Sequence, residues 1–238
     1  MTHRQPREAT RREAIALSDV GHGWRSTARR AAIIAALEVN HAGAFKAELV
    51  DMWRDYTPWP FNRMPELYSG WINRHPQSYE AQYWVNDRLF KNRVASGMYE
   101  RNMFARVKHL YDRHPSDIVI CVHSVFVRPA LYALRQLGRR TPFVSVVTDY
   151  ALPPVLWYDP RADKTLVPTP PALQRGLELG LEPDKLVLTG PVIHPRFTNV
   201  TVTKEALEPN WAGQRTLASR CSSAVATAWD HCSRWPAR

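Results

Sequence analysis

Apolar residues in this chain fall into short runs, each closed by a polar residue and separated from the next by stretches of helical spacing. Ala14 to Leu17 is the first run; Ser18 and Asp19 close it, and Gly21, His22 and Gly23 make a glycine turn. A helical stretch follows from about Ser26 to Glu38. Glycines at such a turn let the backbone bend tightly and approach a ligand, and the helix N-terminus behind it offers free N–H groups. Phe45 to Val50 reads as a second strand ending at Asp51, which completes a βαβ unit. Asp117 to Val122, Pro142 to Val147, Lys164 to Val167 and Leu186 to Leu188 read as four more strands, with helices over 128–137 and 170–179. Strands that are apolar throughout and polar at the C-terminal end suit a buried parallel sheet. The predicted fold class is therefore α/β, a Rossmann-like doubly wound parallel sheet. Such sheets bind ligands at the carboxyl ends of their strands, where Asp19, Asp51, His123, Thr148, Asp149 and Thr169 fall.

The pattern changes between Met52 and Arg93. Residues 53–90 hold ten of the 25 aromatic residues, and Pro58, Pro60, Pro65 and Pro76 interrupt them, so short helices joined by loops are expected as an insertion. Helical spacing returns over 94–112. Trp53, Trp59, Phe61, Trp71 and Trp84 are the candidates for a membrane-facing surface, with Arg54, Arg63, Arg74, Arg88, Lys91 and Arg93 beside them. Aromatic rings suit a membrane interface and basic residues suit anionic headgroups.

Charge sharpens this picture. The 238 residues carry a formal net charge of +10, which favours an anionic partner. Residues 1–13 form a basic arm without the apolar stretch of a signal peptide, and no run is long enough to span a bilayer. Cys121, Cys221 and Cys232 show neither metal spacing nor a disulfide framework, so no metal or cofactor is expected and a reducing cytoplasm fits. The chain lacks a compact basic helix or aromatic–basic recognition motif, which argues against a nucleic-acid partner.

Several stretches together resemble one family. They are Leu17-Ser18-Asp19, Gly21, Gly23 and Arg25-Ser26; Pro115 to Ile120 with Val122-His123; and Pro142-Phe143-Val144 with Val146 to Asp149. Trp157 to Arg161 with Asp163, Val167-Pro168-Thr169, and Gly190-Pro191-Val192 with Pro195-Arg196-Phe197 continue the match. In order and spacing, residues 14–206 resemble the N-terminal half of the monogalactosyldiacylglycerol synthase and processive diacylglycerol glucosyltransferase family. The resemblance implies a family-28-like GT-B glycosyltransferase, whose N-terminal domain takes the lipid acceptor and meets the membrane. Its second domain binds UDP-galactose or UDP-glucose, and transfer to diacylglycerol is inverting. The implied location is cytoplasmic, peripheral on the inner face of the cell membrane, with diacylglycerol and anionic lipids as partners.

That chemistry needs a general base for the acceptor hydroxyl and positive charge or N–H groups for the leaving UDP. The family pattern implies a histidine directly after the last glycine of the turn; this chain has Trp24 there. His22 and Asp19 are the candidate bases. Gly21, Gly23, Arg25, His123 and Asp149 are the candidate acceptor and cleft residues. Plainer roles stay open for some: a hydrogen-bonded strand-end histidine for His123, a loop anchor for Asp149, a surface arginine for Arg25. Alternative functions are a non-catalytic lipid-binding module and a soluble sugar-nucleotide enzyme of the same architecture.

Residues 207–238 break the pattern. They lack apolar periodicity yet contain Trp211, Trp229, Trp235, Cys221 and Cys232, which normally need burial. Read one base out of frame, the codons across Trp229-Asp230 force a glycine, and their neighbours permit a strand and glycine loop. The expectation is a frame change near Ala206 to Glu208, early termination, an irregular tail, a missing second domain and little transferase activity.

Overall fold

The polar residue that closes a strand in this protein often starts the next helix. The computed structural model describes residues 12–18, 24–41 and 43–193; all belong to a unit ending at Pro195. The expected tail at 207–238 lies outside them. β1 (Arg12–Ser18) leads to α1 (Trp24–Asn40), which returns to β2 (Phe45–Asp51), parallel to β1. Asp51 then caps α2 (Met52–Tyr56), its carboxylate accepting from Arg54 N at 3.0 Å. A 3-10 turn at Phe61–Arg63 precedes α3 (Met64–Arg74) and α4 (Pro76–Lys91). Asn92 breaks the path and caps α5 (Arg93–Arg113) by accepting from Val94 N at 2.9 Å. The expected broken insertion is thus three helices and a short turn, followed by one long helix.

Beyond α5 the alternation resumes: β3 (Ile118–Cys121), α6 (Ser124–Gln136), β4 (Phe143–Val146), β5 (Lys164–Val167), α7 (Pro170–Glu178) and β6 (Leu186–Leu188). The sheet order is β2-β1-β3-β4-β5-β6, parallel throughout. Chain order runs outward from β1 to β2 and then resumes on the other side of β1 at β3. The reversal point lies between β1 and β3, where Leu17 pairs with Cys121. Crevices at such points are the usual ligand sites of open parallel sheets.

α6 begins at Ser124, four residues before the expected start at 128. The reason is His123, whose Nδ1 accepts from Val125 N at 3.3 Å and caps the helix. Pro129 lies inside α6 and cannot donate to the carbonyl one turn back, at Val125. The half-buried Tyr99 donates its phenol to that same carbonyl at 3.0 Å and satisfies it. Burial pushes the Tyr99 hydroxyl well above its ordinary range, so it stays a donor.

The core joins α5 and α6 to the sheet. Val107, Leu110, Tyr111, Val119, Cys121, Phe126, Val127, Ala130 and Phe143 are almost wholly buried. Tyr111 donates to Ala130 O at 3.2 Å, so its polar end is paired inside the apolar layer. α7 comes close to β6 because Gly176 has no side chain. A Cβ there would stand 2.8 Å from Leu186 Cδ2 and 3.0 Å from Tyr158 Cε1. Gly176→Leu overfills this contact and is expected to cost about 1–3 kcal/mol, read as a lower urea midpoint for the full chain.

Candidate functional site

The carboxyl edge of the sheet gathers Ser18, Asp51, the Cys121–His123 end of β3, the Thr148–Tyr150 end of β4, and Thr169. His123 is held on several sides. Its Nδ1 takes the Val125 N–H, so the neutral ring carries its proton on Nε2. Trp53 meets the imidazole edge-on at a centroid distance of 5.7 Å, and Phe126 approaches it at 5.3 Å. Trp53 also meets Phe126 edge-on at 5.1 Å. Trp53 therefore departs from the expected membrane-facing set: it is half-buried and packs against the hydrophobic core. Its place in the first turn of α2, directly behind Asp51, turns it toward the sheet edge.

Asp149 is exposed, and its Oδ2 accepts from Trp157 Nε1 at 2.7 Å. It anchors the loop that follows β4. Thr169 caps α7 by accepting from Ala172 N at 3.3 Å, and its hydroxyl donates to the Tyr150 carbonyl. The Trp157 to Asp163 stretch ties the same region down. Ser145 donates to Trp157 O at 3.2 Å, Tyr158 to Ala172 O at 2.7 Å, and Phe143 N to Asp163 Oδ2 at 2.7 Å. Arg161 reaches Asp159 at 2.6 Å and Glu100 of α5 at 2.7 Å. Burial works against the Arg161 charge, but these two carboxylates outweigh it and hold the guanidinium above its ordinary range.

Asp19, Gly21, His22 and Gly23 lie outside the described residues, as do the side chains of Trp24 and Arg25. Of the candidate cleft residues, the structure describes His123 and Asp149, one at the end of β3 and the other past the end of its neighbour β4.

The insertion presents a second surface. Trp59 is 76% exposed, Phe61 58% and Trp84 50%. Trp71 is half-buried beside Tyr68 and lines a cleft of about 420 Å³ with Arg74, His75, Gln77 and Ser78. None of the described side chains of α3 is buried. Sequence reasoning missed the exposed Leu67, Val85, Leu89, Val94 and Met98. Val85 and Leu89, and Val94 and Met98, are four apart, so each pair shares one helix face.

Sequence reasoning also missed two acids. Between residues 81 and 101, Asp87 and Glu100 are buried, whereas Arg88, Lys91, Arg93 and Arg101 are exposed. Asp87 accepts from Val155 N at 2.9 Å, from Arg175 Nη2 at 2.9 Å, and from Lys91 at 2.7 Å. Asp87 stands four residues after Tyr83 and three after Trp84 on α4, and nothing in that spacing marks it as buried. Among the described residues no helix is long and apolar enough to cross a membrane.

Comparison with known proteins places this geometry in context. A family model described as Monogalactosyldiacylglycerol (MGDG) synthase matches residues 30–193. The chain is similar to a probable monogalactosyldiacylglycerol synthase, chloroplastic, of Glycine max, with 29% identity over 204 residues. It is similar to the monogalactosyldiacylglycerol synthase, chloroplastic, of Spinacia oleracea at 28% identity. Each alignment covers 84% of this chain and 38% of the relative, so the chain spans about two fifths of their length. Monogalactosyldiacylglycerol synthase 1, chloroplastic, of Arabidopsis thaliana is 25% identical over 185 residues, which are 77% of this chain and 34% of the relative.

Burial raises the Asp87 pKa, but the Lys91, Val155 N–H and Arg175 partners outweigh it and hold the carboxyl below its ordinary value. A lowered folded-state pKa adds stability above the ordinary carboxylate value and loses it as pH falls through the folded one. Asp87→Asn is expected to cost about 3 kcal/mol at neutral pH. In urea unfolding at a series of pH values, the gap between wild type and variant should hold above about pH 5 and close below about pH 4.

Proposed function

The chain belongs to the monogalactosyldiacylglycerol synthase family, and we propose that it works on the acceptor side of glycolipid synthesis. In this reading it docks on an anionic membrane as a peripheral protein and presents diacylglycerol at the carboxyl edge of its sheet. The hydroxyl oxygen of diacylglycerol attacks the anomeric carbon of a UDP-hexose with inversion, its proton passes to a base, and UDP leaves with the electrons of the broken bond. The relatives are named for galactose transfer, which favours galactose over glucose as the donor sugar. The donor site is proposed to lie outside the described residues, and the membrane surface to be the inner face of the cell membrane.

One observation carries the membrane part. Between residues 81 and 101 both acids, Asp87 and Glu100, turn inward, while Arg88, Lys91, Arg93 and Arg101 and the apolar side chains Trp84, Val85, Leu89, Val94 and Met98 turn outward. A water-facing helix surface has no need of that sorting; an anionic lipid surface rewards both halves of it. The same helix contacts the loop after β4, next to the sheet edge where the acceptor would sit. His123 is proposed to line the acceptor end of the sheet, its ring held by the helix cap and by Trp53 and Phe126. His22 and Asp19 are the proposed bases.

Two outcomes test this. The full chain should co-sediment with vesicles of equal parts phosphatidylglycerol and phosphatidylcholine and stay in solution with phosphatidylcholine alone. Replacing Trp84 and Leu89 together by serine should weaken that binding about tenfold or more. Replacing His22 by alanine and Asp19 by asparagine together should lower galactose transfer from UDP-galactose to diacylglycerol by about 10²-fold, measured as radiolabelled lipid product. A variant as fast as the parent would overturn the placing of the base in the turn after β1.

A further inference from the structure

The helix that carries the lipid-facing side chains also grips the loop at the sheet edge. Residues 148–154 follow β4 and contain Pro153 and Pro154, which have no N–H to give. Among the described backbone bonds, none is donated by residues 148–153. The stretch takes its position from side chains instead. Two of these come from α4: Tyr83 donates to Leu152 O at 3.0 Å, and Asp87 accepts from Val155 N at 2.9 Å. Thr169 donates to Tyr150 O, and Asp149 accepts from Trp157 Nε1 at 2.7 Å.

Tyr83 and Asp87 are four apart, so one face of α4 makes both contacts. Trp84, Val85, Arg88 and Leu89 occupy the intervening and following positions and are exposed. Asp87 also binds Arg175 of α7 at 2.9 Å, which ties α4 to the helix behind the same edge. A loop without its own backbone ladder follows whatever holds it.

We propose that Tyr83 and Asp87 are positioning residues that couple lipid docking on α4 to the loop 148–157 at the sheet edge. The coupling rests on the membrane reading above. Seating α4 on a bilayer restrains the helix, and the two clamps pass that restraint to the loop carrying Asp149. The sheet edge is then most ordered when an acceptor-bearing membrane is present.

Hydrogen exchange of the full chain tests this, with and without vesicles of equal parts phosphatidylglycerol and phosphatidylcholine. In wild type, amide exchange within residues 148–157 should slow about three- to tenfold on vesicle binding. In Tyr83→Phe, which removes only the hydroxyl that holds Leu152 O and leaves the Asp87 pairs in place, the chain should still sediment with the vesicles while the loop amides slow less than about twofold. A wild-type chain that fails to sediment overturns the membrane reading and the coupling with it. One that sediments without slowing of the loop, or a variant that slows as much as wild type, overturns the coupling alone.

Discussion

Two buried carboxylates, Asp87 on α4 and Glu100 on α5, govern most of what this domain presents to its surroundings. Each is too costly to leave unpaired away from water, so each draws a cation from another part of the chain. Arg175 of α7 comes to Asp87, and Arg161 of the loop before β5 comes to Glu100. These pairs tie α4 and α5 to the elements packed around the parallel sheet. With these two acids turned inward, residues 81–101 present basic and apolar side chains outward. The ion pairing that docks the helices therefore also creates the cationic, apolar surface.

A similar economy operates at the sheet edge. Asp51, His123 and Thr169 stand where ligands of parallel sheets bind, and each is used first as a helix cap. Capping commits one side-chain acceptor to a backbone N–H and limits what remains. For His123 it sets the tautomer of the neutral ring, with the proton on Nε2. The rings of Trp53 and Phe126 restrict its orientation further. An edge held this way is preorganised, and a group positioned before its ligand arrives loses little freedom on binding.

The parallel strands could be read from the sequence because buried strands are apolar without interruption and end abruptly in polar residues. β2, β3, β4, β5 and β6 all lie within one or two residues of expectation. The start of α6 was not readable, because Pro129 argues against a helix until Tyr99, thirty positions upstream, is seen to satisfy the carbonyl it orphans. Trp53 was misread for a related reason. Its composition matches its exposed neighbours Trp59 and Phe61, and only the short cap at Asp51 turns it inward. Asp87 and Glu100 were passed over because a carboxylate among arginines looks solvated, and their partners lie 88 and 61 positions away.

The stretch from Trp157 to Asp163 contributes strongly to the family resemblance, yet its described contacts are internal. Its backbone and side chains bind β4, α5, α7 and the loop after β4. It is the brace that lets a three-helix insertion and a parallel sheet share one set of buried charges. In the proposed reading the acceptor edge must stand at a set height above the bilayer. Arg161 and Arg175 bear on that placement by holding Glu100 of α5 and Asp87 of α4 against the rest of the domain. Every contact described for this stretch is structural, so it shapes the sheet edge through its neighbours.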